Sequence, residues 1–213
     1  MIPKSVITVK RSVSKNSDVA EAAFGLKAHS GWAALVVLGT HDGNLQVLER
    51  SRLELVEAEW QKQPYHAAEE LSPPEARRVV KRGIDAAKRI TLREMQKAVK
   101  RAREGGFEVR ACGLLVGNPM PNWSVDEILA VHFRMHKAEG VLFREVLAQA
   151  TKSCDLKLVT IPEKRLLEHA EAALAITPSS LSTKIAMLGK SVGAPWGKDQ
   201  KDAALAALIA LRR

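Results

Sequence analysis

The sequence predicts an α/β fold, a single mixed sheet of five strands with helices on both faces, and three observations predict it. Short apolar runs divided by turn residues fill the region up to residue 56. Beyond residue 107, short apolar runs alternate with stretches of helical length, and the chain closes on an alanine- and leucine-rich run, "KDQKDAALAALIAL". Three meandering strands followed by strands reached through helical crossovers belong in one sheet, with the helices packed over its faces. A chain of 213 residues suits one substantial domain. The expected division is a basic, flexible N-terminal arm over 1–18 and a single domain over 19–213.

The arm reading rests on Lys4, Lys10, Arg11 and Lys15, which precede the first acid, Asp18, without sustained apolar periodicity. Three antiparallel strands are expected over about 22–28, 32–39 and 45–56, with Asp42-Gly43 as the hairpin signal between the second and third. "EWQKQPYHAAEELSPP" then reads as an irregular connection. Ser72-Pro73-Pro74-Glu75 has the N-cap serine, first-turn prolines and third-position glutamate of a helix start. That helix runs to Gly105-Gly106, with Val80, Ile84, Ala87, Met95, Ala98 and Ala102 as its apolar stripe. "FEVRACGLLVG" is the apolar run of a strand buried on both faces. Ser124 and Glu127 repeat the capping box and launch a second long helix to about Thr151, with Ile128, Leu129, Phe133, Val141, Leu142 and Leu147 facing the core. "DLKLVTIP" is a further buried strand ended by Pro162, and helical segments complete the chain.

Composition narrows the function. No apolar run approaches the roughly 18 residues that cross a bilayer, so no membrane association is expected. The N-terminus lacks a secretory apolar segment and two cysteines, Cys112 and Cys154, make no disulfide framework, which points to a cytoplasmic home. A formal charge of +9 favours polyanionic partners, DNA or RNA, through release of counterions from phosphates. Most of that charge sits on one helix. From Glu75 to Glu104 there are eleven basic residues and four acidic ones, an excess of seven, and Arg89, Arg93, Lys97 and Lys100 are the candidate nucleic-acid contacts. The competing reading of such a run is a solvated helix face.

Three stretches carry a resemblance to a known family. "FGLKAHSGWAALVVL" is similar to the first hairpin of the ribonuclease H-like superfamily, in particular the RuvC-type Holliday-junction resolvases. "HKAEGVLFREVLAQATKSCDLKLVTIPEKRL" resembles their later helix, strand and proline turn, and "KDQKDAALAALIAL" their last helix, in which Asp-x-x-Asp-Ala precedes an Ala/Leu run. The resemblance spans roughly residues 22–212. It implies two divalent metals held by carboxylates from the first strand, the central strand and the last helix. Asp199 and Asp202 match the last-helix pair, which makes them the remnant catalytic carboxylates and the candidate metal ligands. The remaining positions depart from the pattern: Lys27 stands where the first strand presents its aspartate, and Cys112, Gly113 or Leu114 where the central strand presents its glutamate. An ammonium there puts a positive charge where a cation must sit, and the expected partner of Lys27 is Asp199 or Asp202.

The reading that follows is a diverged ribonuclease H-like protein, a pseudo-nuclease that binds nucleic acid through the basic helix. No cofactor is expected, with Mg2+ or Mn2+ entering only if the centre is active. The first alternative is an active metal-dependent, structure-specific endonuclease whose missing ligands come from Glu49 or Glu139; the second is a non-enzymatic subunit whose basic helix meets an acidic protein. A homodimer is a further partner that the resemblance implies. Trp196, in "GAPWGK" before the acidic pair, is the candidate base-stacking ring, against a loop-anchor reading. His132, His136 and Glu139 share a helix face, and imidazoles four apart can chelate zinc. The motif lacks the acid that follows the first histidine in zinc proteases, and two histidines on an exposed helix more often have no such role. "SVGAPWGK" lacks phosphate-loop spacing, and the two cysteines read as small buried hydrophobes.

Overall fold

A computed structural model describes residues 20–41 and 43–212, so the basic arm expected over 1–18 and the turn residue Asp42 lie outside the described residues. Three strands, β1 (Ala20–His29), β2 (Trp32–His41) and β3 (Asn44–Glu54), form an antiparallel meander. The turn before β2 uses Gly31 at φ +81° and the turn before β3 uses Gly43 at φ +76°, left-handed conformations that glycine adopts without a Cβ clash. Helix α1 (Pro73–Glu104) then crosses to β4 (Phe107–Val116), which pairs parallel with β1, and β5 (Lys157–Pro162) pairs parallel with β4. The sheet order is β3-β2-β1-β4-β5, the mixed five-stranded sheet that the sequence predicts.

Alternation along the strands sends successive side chains to opposite layers. Phe24, Leu26, Leu35, Val37, Cys112 and Leu114 face one core beneath α1 and α3 (His132–Ser153). Ala23, Val36, Leu38, Ala111 and Leu115 face a second core shared with α4 (Leu166–Leu174), α5 (Pro178–Val192) and α6 (Lys198–Leu211). In α6 the eight residues from Ala203 to Ala210 are all buried, as expected of a helix apolar all round. Its first turns reach water, and they carry Asp199 and Asp202.

Two helical expectations need correction. The second long helix is two helices, a short α2 (Val125–Leu129) and then α3, with Val131 between them in extended conformation at φ −142°. That break resets the helical phase, so Phe133, assigned to the core from its spacing, is 71% exposed. The Ser124–Glu127 capping box does form: Glu127 N–H donates to Ser124 Oγ at 3.2 Å and Ser124 N–H to Glu127 Oε2 at 2.8 Å. The Ser72–Glu75 pair takes another arrangement, in which the Ser72 hydroxyl donates to the Glu75 carboxylate and caps no backbone amide.

Candidate functional site

The position of α6 is set by two glycines. Gly25 on β1 and Gly113 on β4 are register partners in the parallel pair. A Cβ on Gly25 would lie 1.8 Å from Ala203 O, and one on Gly113 would lie 2.1 Å from Ala206 O. The bare backbone of both strands therefore forms the seat on which the helix backbone lies, and a side chain at either position would lift it. Lys27 follows Gly25 on the same face of β1, Asp199 stands one helical turn before Ala203 and Asp202 directly before it, so the seat brings them together.

Lys27 Nζ lies 2.7 Å from Asp202 Oδ2, 3.2 Å from Asp199 Oδ1 and 3.1 Å from Glu163 Oε1. Glu163 stands immediately after β5, at the carboxyl end of a parallel strand, where open α/β sheets form their crevices. An ammonium has three N–H donors and here meets three carboxylates from two directions. Lys27 is only 7% exposed. Burial opposes its charge, but hydrogen bonding with Asp202, Glu163 and Asp199 overcomes that cost and raises its pKa above the ordinary lysine value. Further charges complete the cluster. Lys198 donates to Asp202 Oδ2 at 2.6 Å, and Arg144 from α3 approaches Glu163 at 3.9 Å. His29 Nε2 lies 3.1 Å from Asp199 Oδ2, off the hydrogen-bond axis, and its ring stacks on Trp32 at 4.1 Å, with the Arg52 guanidinium over the same indole.

These residues do not fit a two-metal centre. The ammonium occupies the point on which Asp199, Asp202 and Glu163 converge, and a divalent ion taking the same oxygens at about 2.0–2.6 Å would meet it. The Cys112–Leu115 stretch of β4 supplies no carboxylate either. Gly113 has no room for a side chain, Cys112 and Leu114 point into the opposite core, and Leu115, on the α6 side, is apolar. Glu49 and Glu139, the acids that would restore an active centre, are engaged elsewhere. Glu49 accepts from Arg101 Nη2 at 2.6 Å and Nε at 3.0 Å, while Glu139 accepts from the backbone of Tyr65 and His66.

The other predicted residues sit apart from this cluster. Arg89, Arg93, Lys97 and Lys100 are all exposed on α1, on the far side of the sheet from α6. Arg93 pairs with Glu57 and Glu94 at 3.1 Å, Lys97 with Glu94 at 3.0 Å and Lys100 with Glu104 at 3.7 Å. Trp196 is an anchor: its ring fills the space beside Gly189, where a Cβ would lie 2.4 Å from Cδ1, and it packs against the second core. That packing leaves less of the ring for stacking than the loop sequence suggests. Sequence reasoning missed Glu163, Arg144, His29 and Lys198. For Glu163 a signal existed, an acid directly after the proline that ends a parallel strand.

No protein-family model matches the chain, and no curated protein does. Among solved structures it is similar to Thermus thermophilus RuvC in complex with a Holliday junction substrate, at 11% identity and TM-score 0.47 over 89% of this chain and 91% of that one. A second Thermus thermophilus RuvC structure is similar at 13% identity and TM-score 0.45, covering 88% and 92%. An Aquifex aeolicus PPX-GPPA enzyme is similar at 14% identity and TM-score 0.34, covering 75% of this chain and 42% of that one. The antiparallel meander, the parallel β1-β4-β5 side and the final helix across β1 and β4 form the mixed five-stranded α/β architecture and are consistent with the ribonuclease H-like arrangement that the sequence resemblance implies.

Proposed function

We propose that this is a diverged ribonuclease H-like domain that binds nucleic acid, DNA or RNA, along α1 and does not carry out two-metal hydrolysis. The observation that carries the reading is the placement of Lys27 Nζ within 3.2 Å of three carboxylates. A built-in cation there does for the charge balance of the site what a metal would otherwise do, but it activates no water. Three cations, Lys27, Lys198 and Arg144, stand against Asp199, Asp202 and Glu163, so the cluster is neutral as it is.

The binding surface is supplied by α1. Its eleven basic residues outnumber its own four acids, and Glu49, Glu57 and Asp126 from other elements pair with three of them. Even after those three are counted, four cations remain in excess. Exposed ion pairs are worth little in water, so a phosphate backbone can exchange with the carboxylates at small cost. Phosphate contacts position a nucleic acid without reading its bases, so the expected binding is insensitive to sequence and steeply dependent on salt.

The test is binding of the full chain to branched and linear DNA and to RNA over a salt series. Affinity that falls linearly with the logarithm of salt, and is lost when Arg89, Arg93, Lys97 and Lys100 are reversed to glutamate, supports the reading. Absence of binding to every nucleic acid at low salt overturns it in favour of an acidic protein partner for α1.

A further inference from the structure

On the α1 side of the sheet, three imidazoles converge at the start of α3. His132 and His136 lie one turn apart, and their Nε2 atoms are 3.1 Å from each other. His66, from the 3-10 turn His66–Ala68 in the connection before α1, brings its ring centroid to 5.1 Å from His132 and 4.5 Å from His136. One ring nitrogen from each residue lies within 4.8 Å of the other two, and no other such group of three is found among the described residues.

The histidine that comes from elsewhere in the chain is held from behind. His66 Nδ1 is 2.8 Å from Glu139 Oε2, and Glu139, 3% exposed, also accepts the backbone N–H groups of Tyr65 and His66 at 3.2 Å. An ionised carboxylate only accepts, so Nδ1 carries the proton and the Nε2 lone pair is left over. That Nε2 is buried and has no hydrogen-bond partner. A buried lone pair without a donor is a cost, and a metal ion removes it. The pattern of carboxylate, imidazole and metal is the usual outer shell of a histidine-bound ion. Glu69 stands behind a second ring, with Oε1 3.5 Å from His132 Nδ1.

We propose that His66, His132 and His136 form a binding site for a divalent transition ion of the zinc class, with Glu139 as the positioning residue behind His66. Tetrahedral zinc at about 2.0–2.1 Å from each nitrogen needs nitrogens roughly 3.3 Å apart. The His132–His136 pair already has nearly that separation, and both rings are exposed and free to close on the third. Three imidazoles without a carboxylate in the inner shell select zinc, copper or nickel over magnesium. The fourth position is left to water or an outside ligand, and the ion ties the connection before α1 to the first turns of α3. The site is independent of the Lys27 cluster and of the nucleic-acid reading.

The experiment uses the full chain without a histidine tag, stripped with chelator and titrated with Zn2+, and with Co2+ as a visible probe. The expected result is one equivalent of tightly bound ion, a raised Tm, and cobalt absorption bands that excess Mg2+ does not remove. His136→Ala, at an exposed position, keeps the metal-free Tm and loses the bands. Glu139→Gln weakens affinity about 10–100-fold. No cobalt bands and no shift in Tm would overturn the proposal, and so would binding that is equally tight in His136→Ala, which would place the ion elsewhere.

Discussion

Lys27 and Asp202 join the first strand to the last helix through a 2.7 Å ion pair, and the same Asp202 oxygen accepts from Lys198 at 2.6 Å. A carboxylate held by two ammonium groups has little left to offer a metal ion. The cluster is thus a structural tie between β1, the end of β5 and α6.

Removing the ammonium should therefore loosen the fold. Lys27→Met leaves Asp199, Asp202 and Glu163 facing one another, and loss of one partner from a largely buried charge cluster costs about 3 kcal/mol. Urea unfolding of wild type and variant measures it, and Lys27→Met/Asp202→Asn should recover part of the loss.

The same pair of proteins tests the pH dependence. Because the folded-state pKa of Lys27 is raised above the usual 10.5, its contribution is fully present below that value and is lost as pH climbs through the folded value. The stability difference between wild type and Lys27→Met should stay flat from neutral pH to about pH 10 and narrow only in more alkaline solution. A difference that shrinks between pH 7 and 9 would contradict the assignment.

Reversing the charge is more informative still. Lys27→Asp gathers four carboxylates at one point, so the variant should be less stable than wild type without metal and should regain stability with Mg2+ or Mn2+ through ligand binding to the folded state. Wild type should show no such gain from Mg2+. Thermal unfolding with and without the ion separates the two.

The glycine seat gives a prediction with an internal control. Gly25→Ala and Gly113→Ala each force a Cβ against an α6 carbonyl and should cost about 3 kcal/mol, the upper range for overpacking against backbone. Gly140→Ala, on α3 with nothing within 4 Å of its Cβ, should gain about 0.5–1 kcal/mol from helix propensity.

Much of this architecture was legible in the sequence. The meander, both crossovers and the last helix follow from turn residues, caps and apolar periods, and Lys27 with Asp199 and Asp202 follows from the family resemblance. Phe133 was misplaced because a helix break at Ala130–Val131 leaves no glycine or proline to announce it. Glu163 and His66 escaped for a different reason. Glu163 carries a local cue in the strand-ending proline before it, but each becomes a site residue only by meeting residues remote in the chain, Lys27 for one and His132 with His136 for the other, and no local period encodes such a meeting.

The basic helix should act through charge alone. Replacing Arg89, Arg93, Lys97 and Lys100 by alanine removes four cations that neutralise phosphates and should reduce the slope of log affinity against log salt by about 3–4, whereas reversal of all four to glutamate abolishes binding. The fold should survive, since all four are exposed and exposed ion pairs add little to stability in water. Asp199→Asn/Asp202→Asn should leave binding intact, because that pair lies on the opposite side of the sheet.

The most direct test of whether Lys27 closes the metal centre is an assay of the purified wild-type protein on a branched DNA substrate with Mg2+ or Mn2+. Binding without cleavage is the expected result. Metal-dependent cleavage that disappears in the Asp202→Asn protein would contradict it, because Asp202 would then be holding a metal ion and not the Lys27 ammonium.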